Sequence, residues 1–492
     1  MKTISMIIAV CLSAAVFGCA GRYDEENDPS VTFNARAGNY GPGSEMGIGV
    51  GFGSQRGGMP PMGSGGQPPS DGNRQGPPKE GFRNKIQTAK AVLEKIQGVY
   101  VVQGTSETET GKTYDATQPD QSAVVVKING ELNLNQTIIT KKGSTADEES
   151  SSFYGINSAV VVIGRSSLNM DKTSITTDAA GANAVVAVGK LAGININGID
   201  IKTSANSSRG LHATREGSIT AKDVNISTLG AHSAALATDR GGGTVTVENG
   251  TLKTEGEGSP SIYSTGNISV KNVKGESTGA ECAVIEGKNS VSVTDSEMTC
   301  YRRNGVMLYQ SFSGDAEVGE SRFTMSGGSI TSYEGAVFYT TNTKAEFMIN
   351  HTSITNKDSA NTLFRASADR WGRTGSNGSE ASFTVTDTNT AGNILCDGLS
   401  SVKTYLKGST VWTGSANTDK TAGFISLSLE KGAKWNLTAD TYLTEFRNDD
   451  KTLANINSNG FNIYYDGNDS MNNWTGGKEI TLTGGGKLIP VF

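Results

Sequence analysis

The sequence has few histidines, prolines and aromatic residues for its length. Its 492 residues include 3 His, 11 Pro and 7% aromatic residues, and the formal net charge is −6. His212, His232 and His351 have no other His or Cys at metal-ligand spacing, so zinc sites and Ser-His-Asp chemistry are disfavoured. The sequence contains no long Lys/Arg run, which argues against nucleic acid as a partner. We therefore expect no cofactor, no metal and no nucleic acid.

What is abundant is glycine, with 63 residues, together with Ser, Thr and Asn. This composition disfavours a helical bundle or a doubly wound α/β enzyme, since both need a core rich in large aliphatic residues. A β-rich chain with many turns remains.

Residues 1–18 are predicted to be a signal peptide. Lys2 is followed by an apolar run over 4–17 that is too short to span a bilayer. The sequence Val-Phe-Gly-Cys at 16–19 resembles the lipobox of bacterial lipoproteins, although Phe17 is bulkier than is usual there. The resemblance implies lipidation of Cys19 and a place in the bacterial cell envelope, exposed outside the cytoplasm at the outer membrane or cell surface. The alternative is an incidental Cys19 beside an ordinary signal-peptidase site.

Two further segments precede the repeats. Residues 19–80 are rich in Gly and Pro and have almost no periodic apolar residues, which predicts a lipid-anchored, disordered stalk. Residues 81–98 are predicted to form one short amphipathic helix, because apolar residues recur there at helical spacing: Phe82, Ile86, Ala89, Leu93 and Ile96.

Residues 99–492 contain an internal repeat. A short apolar segment recurs about every 22 to 31 residues, a period typical of solenoids, and it includes residues 158–164, 183–189, 233–238, 282–287 and 335–340. Alternating aliphatic residues between these segments predict further short strands and exclude helical repeats. A propeller blade would need four antiparallel strands and a longer period. The repeat therefore predicts an all-β, right-handed parallel β-helix, a three-sided solenoid.

The runs at 233–243, 258–266 and 281–290 resemble secreted right-handed β-helix proteins of gut and other anaerobic bacteria. Those proteins look like adhesins and are commonly labelled carbohydrate-binding. The resemblance covers about residues 116–411, and it implies the fold and a binding role without implying a reaction.

Side chains alternate inward and outward along each coil, so equivalent positions form ladders. We predict an inward ladder of Val161, Val186, His212, Leu236, Tyr263, Ile285, Leu308, Phe338, Phe364 and Leu395. The neighbouring, outward ladder is also apolar: Val160, Val185, Leu211, Ala235, Ile262, Val284, Met307, Val337, Leu363 and Ile394. Such a stripe needs a cover, which the helix at 81–98 or a partner surface could supply. The alternative is that the two faces are reversed.

A third ladder, predicted to face outward, changes from small to polar and aromatic residues: Val162, Ala187, Ala213, Ala237, Ser264, Glu286, Tyr309, Tyr339 and Arg365. Aromatic rings stack on sugars, while carboxylates and Arg bind hydroxyls or uronates. The predicted ligand-binding residues are Asp239, Arg240, Ser264, Glu286, Lys288, Tyr309, Tyr339, Arg365 and Trp371. The alternative is an ordinary solvated face with compensating charges.

Two functions are consistent with these observations. The favoured hypothesis is a lipid-anchored, adhesin-like surface protein that binds glycans or other surfaces, with the membrane as its partner through the lipid. The second is an extracellular polysaccharide lyase or glycoside hydrolase that uses the polar ladder, since Asp239 and Glu286 are two coils, or roughly 10 Å, apart. We favour binding because no His is predicted in a position to act as a base.

Cysteines and the chain end add three expectations. Cys282 and Cys300 lie within about one coil and could form a disulfide, while Cys396 is expected to be a small buried residue. The segment 466–470 is expected to be a turn, and 480–492 a last strand that closes the solenoid.

Overall fold

The computed structural model describes residues 91–492. The predicted signal peptide, Cys19, the stalk at 19–80 and most of the helix at 81–98 lie outside the described residues. The chain is helical at 91–94 and enters the first strand at Gln97. The predicted helix therefore ends earlier than residue 98, because Gly98 already pairs with Ser122 in a sheet.

The chain forms a right-handed parallel β-helix, as the repeat predicts, with strands numbered β1 to β39 along the chain. One face of the solenoid is a 12-stranded sheet, called sheet A. Its strands pair in parallel, and consecutive members belong to consecutive coils. They are β1 (Gln97–Gln103), β4 (Gln121–Lys127), β7 (Val160–Ile163), β9 (Val185–Val188), β11 (Leu211–Thr214), β13 (Leu236–Asp239), β15 (Ile262–Ser264), β17 (Ala283–Glu286), β20 (Val306–Tyr309), β23 (Phe338–Thr341), β26 (Thr362–Ala366) and β29 (Asn393–Cys396).

The other two faces are formed by a larger parallel sheet, called sheet B. Its strands are β2 (Ser106–Thr110), β3 (Thr113–Ala116), β5 (Glu131–Asn135), β6 (Ile138–Lys141), β8 (Ser167–Thr177), β10 (Gly193–Thr203), β12 (Gly217–Thr228), β14 (Gly243–Thr254), β16 (Asn267–Ser277), β18 (Ser290–Thr294), β19 (Glu297–Cys300), β21 (Glu320–Ser326), β22 (Ser329–Ser332), β24 (Lys344–Asn350), β25 (Ser353–Asn356), β27 (Glu380–Thr386), β30 (Ser401–Lys407), β32 (Phe424–Leu429) and β35 (Glu445–Asn448).

The long strands of sheet B turn the corner between two faces at a single residue. Strand β8 pairs with both β5 and β6, and the residues at this corner include Asp223, Asn249 and Asn272, with φ of 54°, 61° and 54°. Asn and Asp tolerate this left-handed conformation better than other non-glycine residues. Their side chains also form a ladder, in which Asn272 donates to Asn249 at 2.8 Å and Asn249 donates to Asp223 at 3.1 Å.

Two small sheets complete the C-terminal end. Sheet C contains β28 (Asn389–Ala391), β31 (Val411–Thr413), β33 (Lys434–Asn436) and β36 (Ile456–Asn457), and sheet D contains β34 (Thr441–Leu443), β37 (Ile463–Asp466), β38 (Ile480–Thr481) and β39 (Lys487–Val491). β38 runs antiparallel to β39, so the predicted final strand is a short hairpin. The predicted turn at 466–470 leads into a 3₁₀ helix, Ser470–Thr475, capped by Asp469.

The helix α1 (Glu148–Tyr154) lies outside the sheets and begins at its N-cap Asp147. In the part of the chain that the structure describes, no helix is long and apolar enough to cross a membrane.

Two columns of sheet A face the interior, where they meet apolar residues of sheet B. The first is Val160, Val185, Leu211, Leu236, Ile262, Ala283, Val306, Phe338, Phe364 and Ile394, and the second, two residues further on, includes Val162, Ala187, Ala213, Ser264, Ile285, Leu308, Ala366 and Cys396. Apolar members of both columns belong to one continuous core.

The predicted inward ladder is therefore wrong in part. Leu236, Ile285, Leu308, Phe338 and Phe364 do face inward, whereas the column that faces outward is Val161, Val186, His212, Ala237, Tyr263, Val284, Met307, Tyr339, Arg365 and Leu395. Of the predicted outward ladder only Val284 and Met307 face outward.

The inward ladder is predicted wrongly because apolar and polar residues do not alternate along these strands. His212 pairs with Ala237 and not with Leu236, so an alignment that slips by one residue exchanges the two faces. In a parallel sheet that is covered on both sides, small apolar residues occupy both faces, and the sequence carries no signal for the register.

The predicted cover is found at the N-terminal part of sheet A. Val125, Val161 and Val186 on its outer face pack against Ile96 and Leu93. The segment that ends the predicted helix thus covers these residues.

A disulfide joins Cys282 to Cys300, with Cα atoms 5.3 Å apart, and Cys396 is buried and forms no disulfide with another cysteine in the described part of the chain. Both expectations about the cysteines are confirmed.

Candidate functional site

Beyond this apolar, covered part, the outer face of sheet A carries most of the predicted ligand-binding residues. Asp239, Glu286 and Tyr309 occupy one column, and Tyr339 and Arg365 occupy the column two residues earlier. Arg240 lies in the turn after β13, and Trp371 lies in the loop after β26. The predicted third ladder therefore divides between two outward columns and the interior.

Ser264 is a correction to the predicted site. Ser264 is fully buried in the interior, and its hydroxyl donates to the carbonyl of Gly266 at 2.9 Å. It pairs with the core residue Ile285, so it cannot reach a ligand on the outer face. Lys288 is exposed and its Nζ lies 3.7 Å from Glu317, and its role in ligand binding stays a prediction.

The middle of the outer face holds a cluster of ionisable residues, called here the polar centre: His212, Asp239, Tyr263, Glu286 and Tyr309. The Glu286 carboxylate, 1% exposed, accepts hydrogen bonds from the hydroxyls of Tyr263 at 2.8 Å and Tyr309 at 2.9 Å. Each tyrosine pKa is raised well above its usual value, first by burial and then by the adjacent Glu286 charge. Both phenols therefore stay protonated and remain hydrogen-bond donors.

Asp239 is the second buried carboxylate of the polar centre. Burial raises the pKa of Asp239 to about 6, although the Arg209 guanidinium, 3.3 Å away, opposes this shift. The backbone N–H of Arg240 donates to Asp239 at 2.9 Å. Asp239 and Glu286 are separated by two rungs of sheet A, since β13 pairs with β15 and β15 pairs with β17, as the sequence predicts.

His212 is a site residue that the sequence pattern does not reveal, because the wrong register places it in the interior. It is fully buried, and its Nε2 lies 4.0 Å from Oδ2 of Asp239. Within residues 91–492 neither ring nitrogen has a hydrogen-bond partner, and a buried polar group left unpaired in this way costs about 1–3 kcal/mol. Burial lowers the pKa of His212 well below its usual value, so the ring is neutral.

Two segments cover the polar centre from opposite sides. Helix α1 is held by Arg209, which donates to Ser152 at 2.8 Å, and by Thr214, which donates to the carbonyl of Phe153 at 3.0 Å. On the other side the loop after β20 places Ser311 and Ser313 on the second oxygen of Glu286.

Arg240 bridges the two covering segments. Its guanidinium lies 2.9 Å from Asp315 in the loop and 3.6 Å from Glu149 in α1, and it sits 3.7 Å above the ring of Phe153. The Arg240 side chain therefore joins the two segments that cover the polar centre, whereas the Asp239 carboxylate pairs with Arg209.

The C-terminal part of the outer face carries an aromatic surface around Trp371. The half-buried Trp371 ring packs on Tyr309 with centroids 4.8 Å apart, and the guanidinium of Arg370 lies 5.0 Å from the Trp371 ring. Asn377 donates to the Trp371 carbonyl at 2.9 Å. The ring is thus fixed in place at the surface.

Tyr309 and Tyr339 differ from their predicted role. They face outward from the sheet but are only 7% and 6% exposed, because Tyr309 lies beneath Trp371 and donates to Glu286, while Tyr339 donates to Asp369 at 3.1 Å. Their rings support the surface and cannot stack on a ligand. The exposed residues there are Arg365, Asp369 and Arg370.

No group of three or more His, Cys, Asp or Glu side chains within residues 91–492 is arranged to hold a metal ion. Searches against protein-family models, curated proteins and solved structures give no match to this chain.

Proposed function

We propose that this chain is a lipid-anchored protein of the bacterial cell envelope that binds an extended, acidic glycan on the Trp371 surface. The observation that carries the proposal is the Trp371 ring, which is held against Tyr309 and lies 5.0 Å from the Arg370 guanidinium. An indole held by neighbouring side chains can stack on a sugar ring at little entropic cost. Guanidinium groups beside it can pair with the carboxylates or sulfates of the same polymer.

The charges of this surface favour an acidic glycan over a neutral one. Arg365 and Arg370 are exposed there, while the carboxylate of Asp369 accepts a hydrogen bond from Tyr339. Arg365 also lies 5.8 Å from the Tyr339 ring, and its Nε donates to Ser367 at 3.2 Å. These contacts orient the guanidinium without neutralising it.

The anchor and the location are supported by two independent features. The lipobox-like sequence ending at Cys19 supports lipidation, and the disulfide between Cys282 and Cys300 suits an oxidising compartment outside the cytoplasm. The long solenoid then presents its side surface to polymers in the surroundings.

The test is a comparison of acidic and neutral polymers. The detergent-solubilised protein is titrated against polygalacturonate, chondroitin sulfate and dextran, and the binding affinity is measured by affinity electrophoresis. We expect an acidic polymer to bind, and Trp371→Ala to weaken binding by about five-fold or more, as the loss of one aromatic contact implies. The matched control is Tyr333→Ala, an exposed tyrosine on another face, 42% exposed.

Equal affinity of the parent and the Trp371→Ala variant for every polymer would contradict the assignment of this surface. Preference for dextran over both acidic polymers would contradict the role given to the arginines.

A further inference from the structure

The polar centre contains a buried histidine and a buried carboxyl group that a purely structural role does not explain. His212 is fully buried with both ring nitrogens unpaired, and Asp239 is buried 4.0 Å away. Buried polar groups in folded proteins are normally hydrogen-bonded, so an unpaired one indicates strain, an unseen partner or a functional role. Here the unpaired ring offers one donor and one acceptor to a group that enters the centre.

The polar centre is continuous with the Trp371 surface. Trp371 packs on Tyr309, Tyr309 donates to Glu286, and Glu286 lies two rungs from Asp239. A polymer that lies along the solenoid axis from Trp371 therefore passes over Glu286 and then Asp239.

Polar contacts hold the cover over Glu286. Residues 311–315, called here the lid loop, contact the centre through Ser311, Ser313 and Asp315. The large apolar side chain of the lid loop, Phe312, is 74% exposed, so it does not anchor the loop. Hydroxyl and ion-pair contacts of this kind can be exchanged for water at little cost, whereas buried apolar contacts cannot.

We propose that Asp239 and Glu286 are the acid and the base of a hydrolytic reaction that cleaves a glycosidic bond of the polymer held at Trp371, once the lid loop opens. The inference rests on the proposed glycan binding and adds a reaction to it. The two backbones are roughly 10 Å apart, from the spacing of two rungs, which leaves room for a water molecule between acid and base, as in inverting glycosidases.

The reaction balances with water as the only co-reactant. Protonated Asp239 gives its proton to the glycosidic oxygen, and the bond from this oxygen to the anomeric carbon breaks with its electrons going to the oxygen. The oxygen of a water molecule forms the new bond to the anomeric carbon, and ionised Glu286 takes the proton that the water loses. Exchange of protons with solvent then restores both carboxyl groups.

The surroundings suit these two roles. The groups that face Asp239 are Arg209, His212, Arg240, Asp315 and Glu286. Burial and the two neighbouring carboxylates favour its protonated form, with Arg209 opposing them. The Glu286 carboxylate accepts hydrogen bonds from the hydroxyls of Tyr263 and Tyr309. Asp239 and Glu286 thus lie in different environments, as the separate roles of acid and base require.

The experiment measures binding and cleavage separately on the full chain, with polygalacturonate and chondroitin sulfate as probes. Cleavage is followed by release of reducing ends at pH 4 to 8, and β-elimination by ultraviolet absorbance of unsaturated ends. We expect reducing ends without that absorbance, a rate that falls as the pH rises through about 6, where Asp239 loses its proton, and inversion of the anomeric configuration in proton NMR. The pH dependence of the cleavage rate and the stereochemistry of the product are measured on the unmodified protein, so neither result depends on whether a variant folds.

Two nearly isosteric variants then test the roles. Glu286→Gln and Asp239→Asn should each lower the cleavage rate by about 100-fold or more while polymer binding and the melting curve stay close to those of the parent. Glu317→Gln, an exposed carboxylate next to the lid loop, is the control and should leave the rate unchanged.

The outcomes separate the two proposals. A polymer that binds but is not cleaved at any pH overturns the acid–base assignment and leaves the binding proposal standing. Cleavage that produces unsaturated ends, or that survives in both carboxylate variants, also overturns the assignment. No binding and no cleavage of either polymer overturns both.

Discussion

Arg240 and Asp315, which are 75 residues apart in the chain, form an ion pair in which both Nε and Nη2 of Arg240 lie 2.9 Å from Oδ1 of Asp315. This pair joins the turn after β13 to the lid loop and closes the outer face over Asp239 and Glu286. Since the Arg240 side chain is 32% exposed, the pair contributes only about 1 kcal/mol or less.

The first prediction concerns the lid loop. Asp315→Asn removes the charge that Arg240 holds, so the loop should open more often and chymotrypsin should cleave after the exposed Phe312 several-fold faster. The melting temperature should change little, because the loop buries few apolar groups. Glu317→Gln serves as the control, and equal cleavage rates in both variants and the parent would show that the pair does not hold the loop.

The second prediction tests the assignment of the two faces of sheet A with adjacent residues. Phe364 lies in the interior, 4.7 Å from the ring of Phe383 and 5.2 Å from that of Phe347, whereas Arg365 is exposed. Phe364→Ala should lower the free energy of unfolding in urea by about 3–5 kcal/mol. Arg365→Ala should change it by less than about 0.5 kcal/mol, and the reverse order would show that the faces are exchanged.

The third prediction concerns a column of glycines at a turn of the solenoid. A Cβ at Gly256 would lie 1.8 Å from the carbonyl oxygen of Gly230, so Gly256→Ala must push two coils apart. We expect a large loss of melting temperature or of soluble protein. Gly193, where a Cβ meets only a side-chain atom at 4.0 Å, is the matched control, and similar losses from Gly256→Ala and Gly193→Ala would count against the close coil contact.

The fourth prediction is the pH dependence of stability. The pKa of Asp239 is raised to about 6 in the folded chain, above its unfolded value of about 3.9. The folded state therefore binds more protons between these values, and this group lowers stability as the pH rises from 4 to 6. The pKa of His212 is lowered, so this group raises stability as the pH rises towards its unfolded value of about 6.5.

Removing each group should therefore change the pH slope of stability in opposite directions. Urea unfolding of Asp239→Asn between pH 4 and 6 should show a more positive slope than the parent, and that of His212→Gln a more negative one. Slopes that change in the same direction would contradict the contrasting environments of the two residues.

The fifth prediction concerns the anchor. Cys19 is expected to accept the lipid through its thiol, so Cys19→Ser should move the protein from the detergent phase to the aqueous phase in a partition assay, or leave an unprocessed precursor. Unchanged partition into detergent would show that Cys19 is not the anchor.

The sequence by itself determined the class of fold, because a repeat of short apolar segments with intervening alternating residues is compatible with few architectures. It also placed Cys282 and Cys300 within one coil, and Asp239 and Glu286 two coils apart, since both follow from the length of the repeat. The register of sheet A was decided only in three dimensions, because strands with small apolar residues on both faces carry no alternation. For that reason the sequence pattern places Ser264 outside and His212 inside, and the structure reverses both.

The cover over the site was also decided only by the tertiary structure. Asp315, Trp371 and Glu149 belong to loops and a helix outside the repeat, and their distance along the chain from Asp239 and Glu286 gives no sign that they meet. Nothing in the repeat therefore indicated that Tyr309 and Tyr339 would be buried. The solenoid's local pairing follows from sequence periodicity, whereas the site depends on irregular segments that fold back across several coils.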